Sequence, residues 1–169
     1  NVNANNEIFM SIDGVLYTKD GTQLISYPAG KTDKVFIIPH EVLIITDEAF
    51  KECKHLEKVE MLQNISIIGT GIFSGCTNLK SVSLSPSLTE IPNYTFKGCT
   101  SLEVIVIPYS VEFIDKYAFM ECSSLKSIYV STVGATECVL FSLNNDFSSI
   151  FVYEGITGVK ENLPEKYKY

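Results

Sequence analysis

Residues 104–130 read VIVIPYSVEFIDKYAFMECSSLKSIYV, and residues 81–107, 23 places earlier, read SVSLSPSLTEIPNYTFKGCTSLEVIVI. Laid over one another, the two stretches keep their apolar residues in the same slots. Phe96 falls on Phe119, Cys99 on Cys122, Leu102 on Leu125 and Ile91 on Ile114. The step extends backwards without a slip, to Phe50 and Phe73, Cys53 and Cys76, Leu56 and Leu79, and Ile45 and Ile68. Two further columns run Phe36, Val59, Val82, Ile105, Ile128 and Ile38, Met61, Leu84, Ile107, Val130. A unit this short cannot close a core alone. It hides its apolar face only by stacking on its neighbours, so residues 23 apart are expected one above another in successive coils of a solenoid. Proteins of this kind bind through a surface.

A fixed period between about 20 and 29 residues is that of leucine-rich-repeat coils. The expected fold is therefore α/β: a right-handed solenoid with a parallel strand stack and short helical or 3-10 segments. The strand carries Leu-x-x-Val/Ile-x-aliphatic, as in Leu79-Lys80-Ser81-Val82-Ser83-Leu84. A turn follows, then two apolar residues such as Val111 and Ile114, then the segment bearing the Phe and Cys. Thr46, Asn93 and Asp115 stand where helix N-caps are expected, and Gly75 and Gly98 suit a tight helix exit. One domain, 1–169, is expected. Residues 1–31 form an N-terminal β-meander cap, with two-residue turns at Asp13-Gly14 and Asp20-Gly21. Four 23-residue repeats occupy 32–130, and 131–169 hold a degenerate repeat and an irregular C-terminal cap. The meander is expected to cover both the apolar end of the stack and its free strand edge.

Composition removes several function classes. A net charge of −7 disfavours nucleic acid and anionic membrane surfaces, both of which need clustered Lys and Arg. No apolar run approaches the length of a membrane span, so this segment is not expected to insert into a membrane. The opening NVNANNEIF has neither a basic nor an apolar region of the signal-peptide type. Four of the five cysteines form one inward column and are expected as buried thiols. Cys138 lies outside it and is the thiol to suspect of exposure. With only His40 and His55, no spacing suits a metal site, and neither cofactor nor catalytic residue is expected. Cys53 and His55 are close in sequence, but a column cysteine lacks the access a nucleophile needs. Two glycosylation sequons occur, at Asn64 and Asn93.

Ile107-Pro108, then Val111-Glu112-Phe113-Ile114, then Ala118-Phe119-Met120-Glu121-Cys122-Ser123-Ser124-Leu125 resembles the repeat of BspA-like leucine-rich-repeat surface proteins. The opening Asp13-Gly14-Val15-Leu16-Tyr17-Thr18-Lys19-Asp20-Gly21 is similar to that family's first segment. Met61-Leu62 and Leu84-Ser85 replace Ile-Pro, and Ile72 and Thr95 replace the Ala before Phe, which alters local turns. The resemblance implies a cell-surface or secreted protein that binds partners and does no chemistry. It carries over no functional residue.

The face that such a stack presents as its concave side is formed by the outward strand positions. One column reads Ile37, Glu60, Ser83, Val106, Tyr129, and its neighbour Val35, Lys58, Ser81, Val104, Ser127. The candidate contact residues for a partner are Ile37, Lys58, Glu60, Ser81, Ser83, Val104, Val106 and Tyr129. The partner is a protein or glycan on a host or neighbouring cell. The competing expectation is a structural spacer within a larger surface protein, and a reactive Cys138 is the mark of an enzyme. A further column, Lys34, Glu57, Lys80, Glu103, Lys126, alternates in sign and is expected to fix the register of the stack.

Overall fold

The computed structural model describes residues 2–115 and 117–130. Cys138, the degenerate repeat and the C-terminal cap lie outside the described residues.

Alternating apolar residues open the chain as two antiparallel strands, β1 (Phe9–Ile12) and β2 (Val15–Thr18). Asp13 and Gly14 join them with φ of 50° and 82°, the double left-handed geometry of a two-residue hairpin turn. The connection from β2 to β3 (Gln23–Ser26) differs from expectation. It is a longer loop over residues 19–22, closed by the Asp20 carboxylate, which accepts from Thr18 Oγ1 (2.6 Å), Thr22 N (3.0 Å) and Thr22 Oγ1 (2.9 Å).

Each coil then contributes three flanks. The first is the main strand: β4 (Val35–Ile37), β6 (Lys58–Glu60) and β8 (Ser81–Ser83) form one parallel sheet, and β10 (Val104–Ile107) and β12 (Ser127–Val130) another. Phe36 pairs with Val59, Val59 with Val82 and Ile105 with Ile128, each partner 23 residues on. The second flank is a row of two-residue strands, where the sequence reading placed only apolar residues after the turn: β5 (Ile44–Ile45) pairs with β7 (Ile67–Ile68), and β9 (Glu90–Ile91) with β11 (Phe113–Ile114). β3 pairs parallel with β5, so the meander is welded to this second ladder.

The third flank carries the phenylalanines, and here the α/β expectation fails: no helix forms among the described residues. Alternate amides of the segment are spent on the next coil. Glu48 N donates to Thr70 O (2.9 Å), Phe50 N to Ile72 O (2.9 Å) and Glu52 N to Ser74 O (2.8 Å), and the same bonds recur from Gly71, Phe73 and Gly75 to residues 93, 95 and 97. Within the segment only three-residue turns remain, such as Lys51 N to Glu48 O. Left-handed residues at Glu48 and Glu52 (φ 56° and 59°), repeated at Gly71 and Gly75, interrupt any longer helical run. The expected N-caps also serve the stack. Thr46 Oγ1 donates to Ile25 O (3.0 Å) in β3 of the meander, and Asp115 Oδ2 accepts from Asn93 N (3.0 Å) in the coil before.

The core is the sum of the inward columns. Phe50, Phe73 and Phe96 are fully buried and stack at 5.2 and 5.6 Å between ring centroids, with Phe119 a further 5.2 Å beyond Phe96. At the start of the stack, Val15, Tyr17 and Leu24 of the meander bury themselves against the first coil.

Candidate interaction surface

Register places the outward strand residues as the sequence predicts. Val35, Lys58 and Ser81 are neighbours across β4, β6 and β8, and Ile37, Glu60 and Ser83 form the adjacent row. Val104 stands opposite Ser127, and Val106 opposite Tyr129. The aliphatics at the two ends are open to solvent: Val35 51%, Ile37 54%, Val104 41% and Val106 52% exposed. Between them, Lys58 Nζ bridges Glu60 Oε1 at 2.6 Å along one strand, which neutralises the middle of the face, and Ser81 and Ser83 are exposed.

The face is divided. β8 and β10 lie side by side, yet no ladder joins them among the described residues. Three details mark the same seam. Val82 and Leu84 are less completely buried than Val59 and Ile105. Asn64 and Ser87 each donate a side-chain bond to the coil before, at His40 O and Gln63 O, but the equivalent Ser110 Oγ is buried without a partner. The charge column breaks there too. Lys34 (2.8 Å) and Lys80 (2.7 Å) both bridge Glu57, and Lys126 bridges Glu103 (2.8 Å), but Lys80 and Glu103 form no bridge. Ile37, Lys58, Glu60, Ser81 and Ser83 thus share one panel, and Val104, Val106 and Tyr129 another.

Held by the Lys34 and Lys80 ammonium groups, the Glu57 carboxyl titrates at about 2, well below its ordinary value. The cysteine column is buried, and each thiol finds an acceptor one coil back. Cys76 Sγ donates to Phe50 O (3.0 Å), Cys99 Sγ to Phe73 O (3.2 Å) and Cys122 Sγ to Phe96 O (2.9 Å). Burial raises the Cys99 thiol far above the usual range and pushes Cys122 up to about 12. Cys53 is equally buried, its thiol directed at Tyr27 O (3.6 Å). The thiol beside His55 in sequence is therefore a core group.

Sequence reasoning missed the surface of the phenylalanine flank. A shallow trough of about 450 Å³ runs there over Gly71, Gly75 and Gly98, walled by Glu48, Glu52, Glu121, Lys97 and Tyr94. The Tyr94 ring stacks on Tyr117 at 5.5 Å. The 23-residue spacing of these two tyrosines was the available signal. Ile67 and Phe113, exposed on the second ladder, were also unassigned. Among the described residues, no group of three metal-ligating side chains gathers, and no helix is long and apolar enough to cross a membrane.

Parallel coils of 23 residues, closed by inward Leu, Ile, Phe and Cys columns, define a leucine-rich-repeat solenoid. The chain belongs to the BspA type leucine rich repeat family, which matches residues 31–145 in six copies. It is 37% identical to a leucine rich cell surface protein of Faecalibacterium prausnitzii, over 75% of this chain and 34% of that one, with a TM-score of 0.72. The pneumococcal vaccine antigen PcpA is 29% identical over 98% of this chain and 42% of its own, with a TM-score of 0.75. A leucine-rich repeat protein of Eubacterium ventriosum is 25% identical over 75% and 40% of the two chains, at a TM-score of 0.58. The chain thus spans less than half the length of each of these structures. No curated protein matches it.

Proposed function

We propose that this chain is a non-enzymatic recognition module of a cell-surface protein, and that it engages a protein or glycan of a host or neighbouring cell through its strand face. The observation that carries the reading is the pair of aliphatic patches, Val35 with Ile37 and Val104 with Val106, left open at the two ends of a neutral face. Four β-branched side chains half out of water support docking, since apolar contact drives association and the Lys58–Glu60 pair leaves no net charge between the patches to oppose it. Lys58, Glu60, Ser81 and Ser83 supply directional hydrogen bonds in the centre, and Tyr129 extends the outer row. A likeness to a bacterial cell surface protein supports placement at the cell surface.

The test is binding of the purified chain to epithelial cells and extracellular matrix. Ile37→Ser with Val106→Ser is compared with Ile67→Ser on the second ladder. Loss of binding in the first variant alone supports recognition through the strand face. Equal binding by all forms refutes the strand face as the site, and no binding by any form makes the chain a spacer that contributes reach.

A further inference from the structure

The N-terminal meander covers the apolar end of the stack but leaves its strand edge open. β3 adds to β5, on the second ladder, and β4 is the outermost strand of the main sheet. Lys34 O accepts from Glu57 N and Lys58 N, and Ile38 N donates to Glu60 O. Alternate residues of a parallel strand bond to opposite sides, so Val35 and Ile37 turn their amides and carbonyls away from β6. No backbone group among the described residues receives them. The side chains mark the same opening. Phe36 stays partly exposed even with the Tyr27 ring edge-on against it at 4.9 Å, whereas its column mates Val59 and Ile105 are sealed. Val35 and Ile37 are about half exposed.

Charge identifies what fits there. Lys34, Glu57 and Lys80 form one continuous bridge in which two ammonium groups share a single carboxylate. The alternating ladder therefore ends on a positive group, with Lys34 74% exposed. We infer that the open edge of β4 accepts an extended peptide strand from a partner protein, added in parallel, with an acidic residue facing Lys34 and an aliphatic residue two places later packing beside the Tyr27–Phe36 pair. The main-chain bonds to Val35 and Ile37 provide affinity, and the acid on Lys34 sets register, as in other additions of a strand to a sheet edge. This proposal shares Val35 and Ile37 with the strand-face reading but uses their main chain at the sheet edge, whereas that reading uses their side chains on the sheet face.

The chain's own repeat supplies a probe. The synthetic peptide SLEVIVIPY, residues 101–109, carries Glu103 at the ladder position of Lys34 and Ile105 at that of Phe36, three repeats on. Fluorescence anisotropy of the labelled peptide with the full chain is expected to saturate. Lys34→Glu, or the peptide made with Glu103→Lys, weakens it by about tenfold or more, and the two changes together restore it, since like charges repel and the swap pairs them again. Val35→Pro removes an outward amide without touching the ladder to β6, so binding is lost while the melting temperature holds. Val106→Ser leaves peptide binding unchanged even where it abolishes cell binding. The proposal is overturned by no saturable binding, by equal affinity for both peptides, by an unaffected Val35→Pro protein, or by sedimentation showing that β4 pairs with a second copy of the chain.

Discussion

Phe73→Ala is the sharpest test of the stacked column. Phe73 is fully buried, with Phe50 at 5.2 Å on one side and Phe96 at 5.6 Å on the other. Truncating a buried phenylalanine removes its transfer free energy and leaves a cavity that rigid neighbours fill only partly, at a cost of about 3–5 kcal/mol. For a chain of this size, that lowers the melting temperature on the order of 10 °C. Urea unfolding followed by circular dichroism measures the loss. A double-mutant cycle then asks whether the rings act as a column. Phe73 and Phe96 touch, so their coupling is expected at about 0.5–1.5 kcal/mol. Phe50 and Phe119 are three coils apart with two rings between them, and their effects add within about 0.5 kcal/mol. A loss for Phe73→Ala below about 0.5 kcal/mol, the scatter of surface substitutions, refutes the stacking argument.

The thiol column predicts a silent titration. In a Cys138→Ala background, the folded chain shows no reaction with a disulfide reagent at pH 8, and the four column thiols appear only on unfolding. The same burial gives an alkaline limit. Cys122 is raised from an ordinary 9.0 to about 12, so between those values the unfolded chain sheds a proton that the folded chain keeps. Stability is full below pH 9 and falls as pH climbs towards 12. Glu57 works in the opposite direction. Its depressed carboxyl adds stability above its ordinary 4.5, which is lost as pH falls from there towards about 2. Glu57→Lys removes that acid dependence and lowers the melting temperature at low salt, and an unchanged melt there shows the charge ladder to be inert. Finally, Gly98→Ala meets Gly75 only at an ordinary 3.7 Å, but it forces a side chain onto φ +70°. Calorimetry is expected to show a loss of about 1–2 kcal/mol from backbone strain alone.

Inward columns were legible in the sequence because one side-chain type repeats at one spacing. Phe50, Phe73, Phe96 and Phe119, and the cysteines three places after each, needed no structure to be set in a stack. The outward rows followed from strand alternation, since Ile37, Glu60 and Ser83 flank inward residues at fixed offsets. What escaped were the bonds between coils. A local pattern such as Asp115-Lys116-Tyr117-Ala118-Phe119 reads as a capped helix when helical bonds within the segment are assumed. In the fold, Phe96 N instead donates to Ala118 O (2.8 Å) and Gly98 N to Met120 O (2.8 Å), so the carbonyls of this segment face the preceding coil. Composition within one unit cannot reveal a bond whose partner is a unit away. The same blindness hid the open edge of β4, because Asp-Gly turns identify a meander without saying which of two ladders it joins.

A solenoid of near-identical units separates what holds it together from what it recognises. The column Phe36, Val59, Val82, Ile105, Ile128 changes little, because each member must fill the same slot against the coils on either side. The adjacent column Ile37, Glu60, Ser83, Val106, Tyr129 changes at every step, because packing imposes nothing on an outward side chain. Successive coils are about 4.8 Å apart, so the β4 and β10 patches lie three coils, or about 14 Å, from each other along the stack. A small ligand can rest on one patch only. An occupant that gains from both must be a protein surface or an extended chain of several residues, and it must cross the Lys58–Glu60 bridge without stripping either charge of its partner. On the proposed strand-face reading, that geometric demand sets which partners the face accepts.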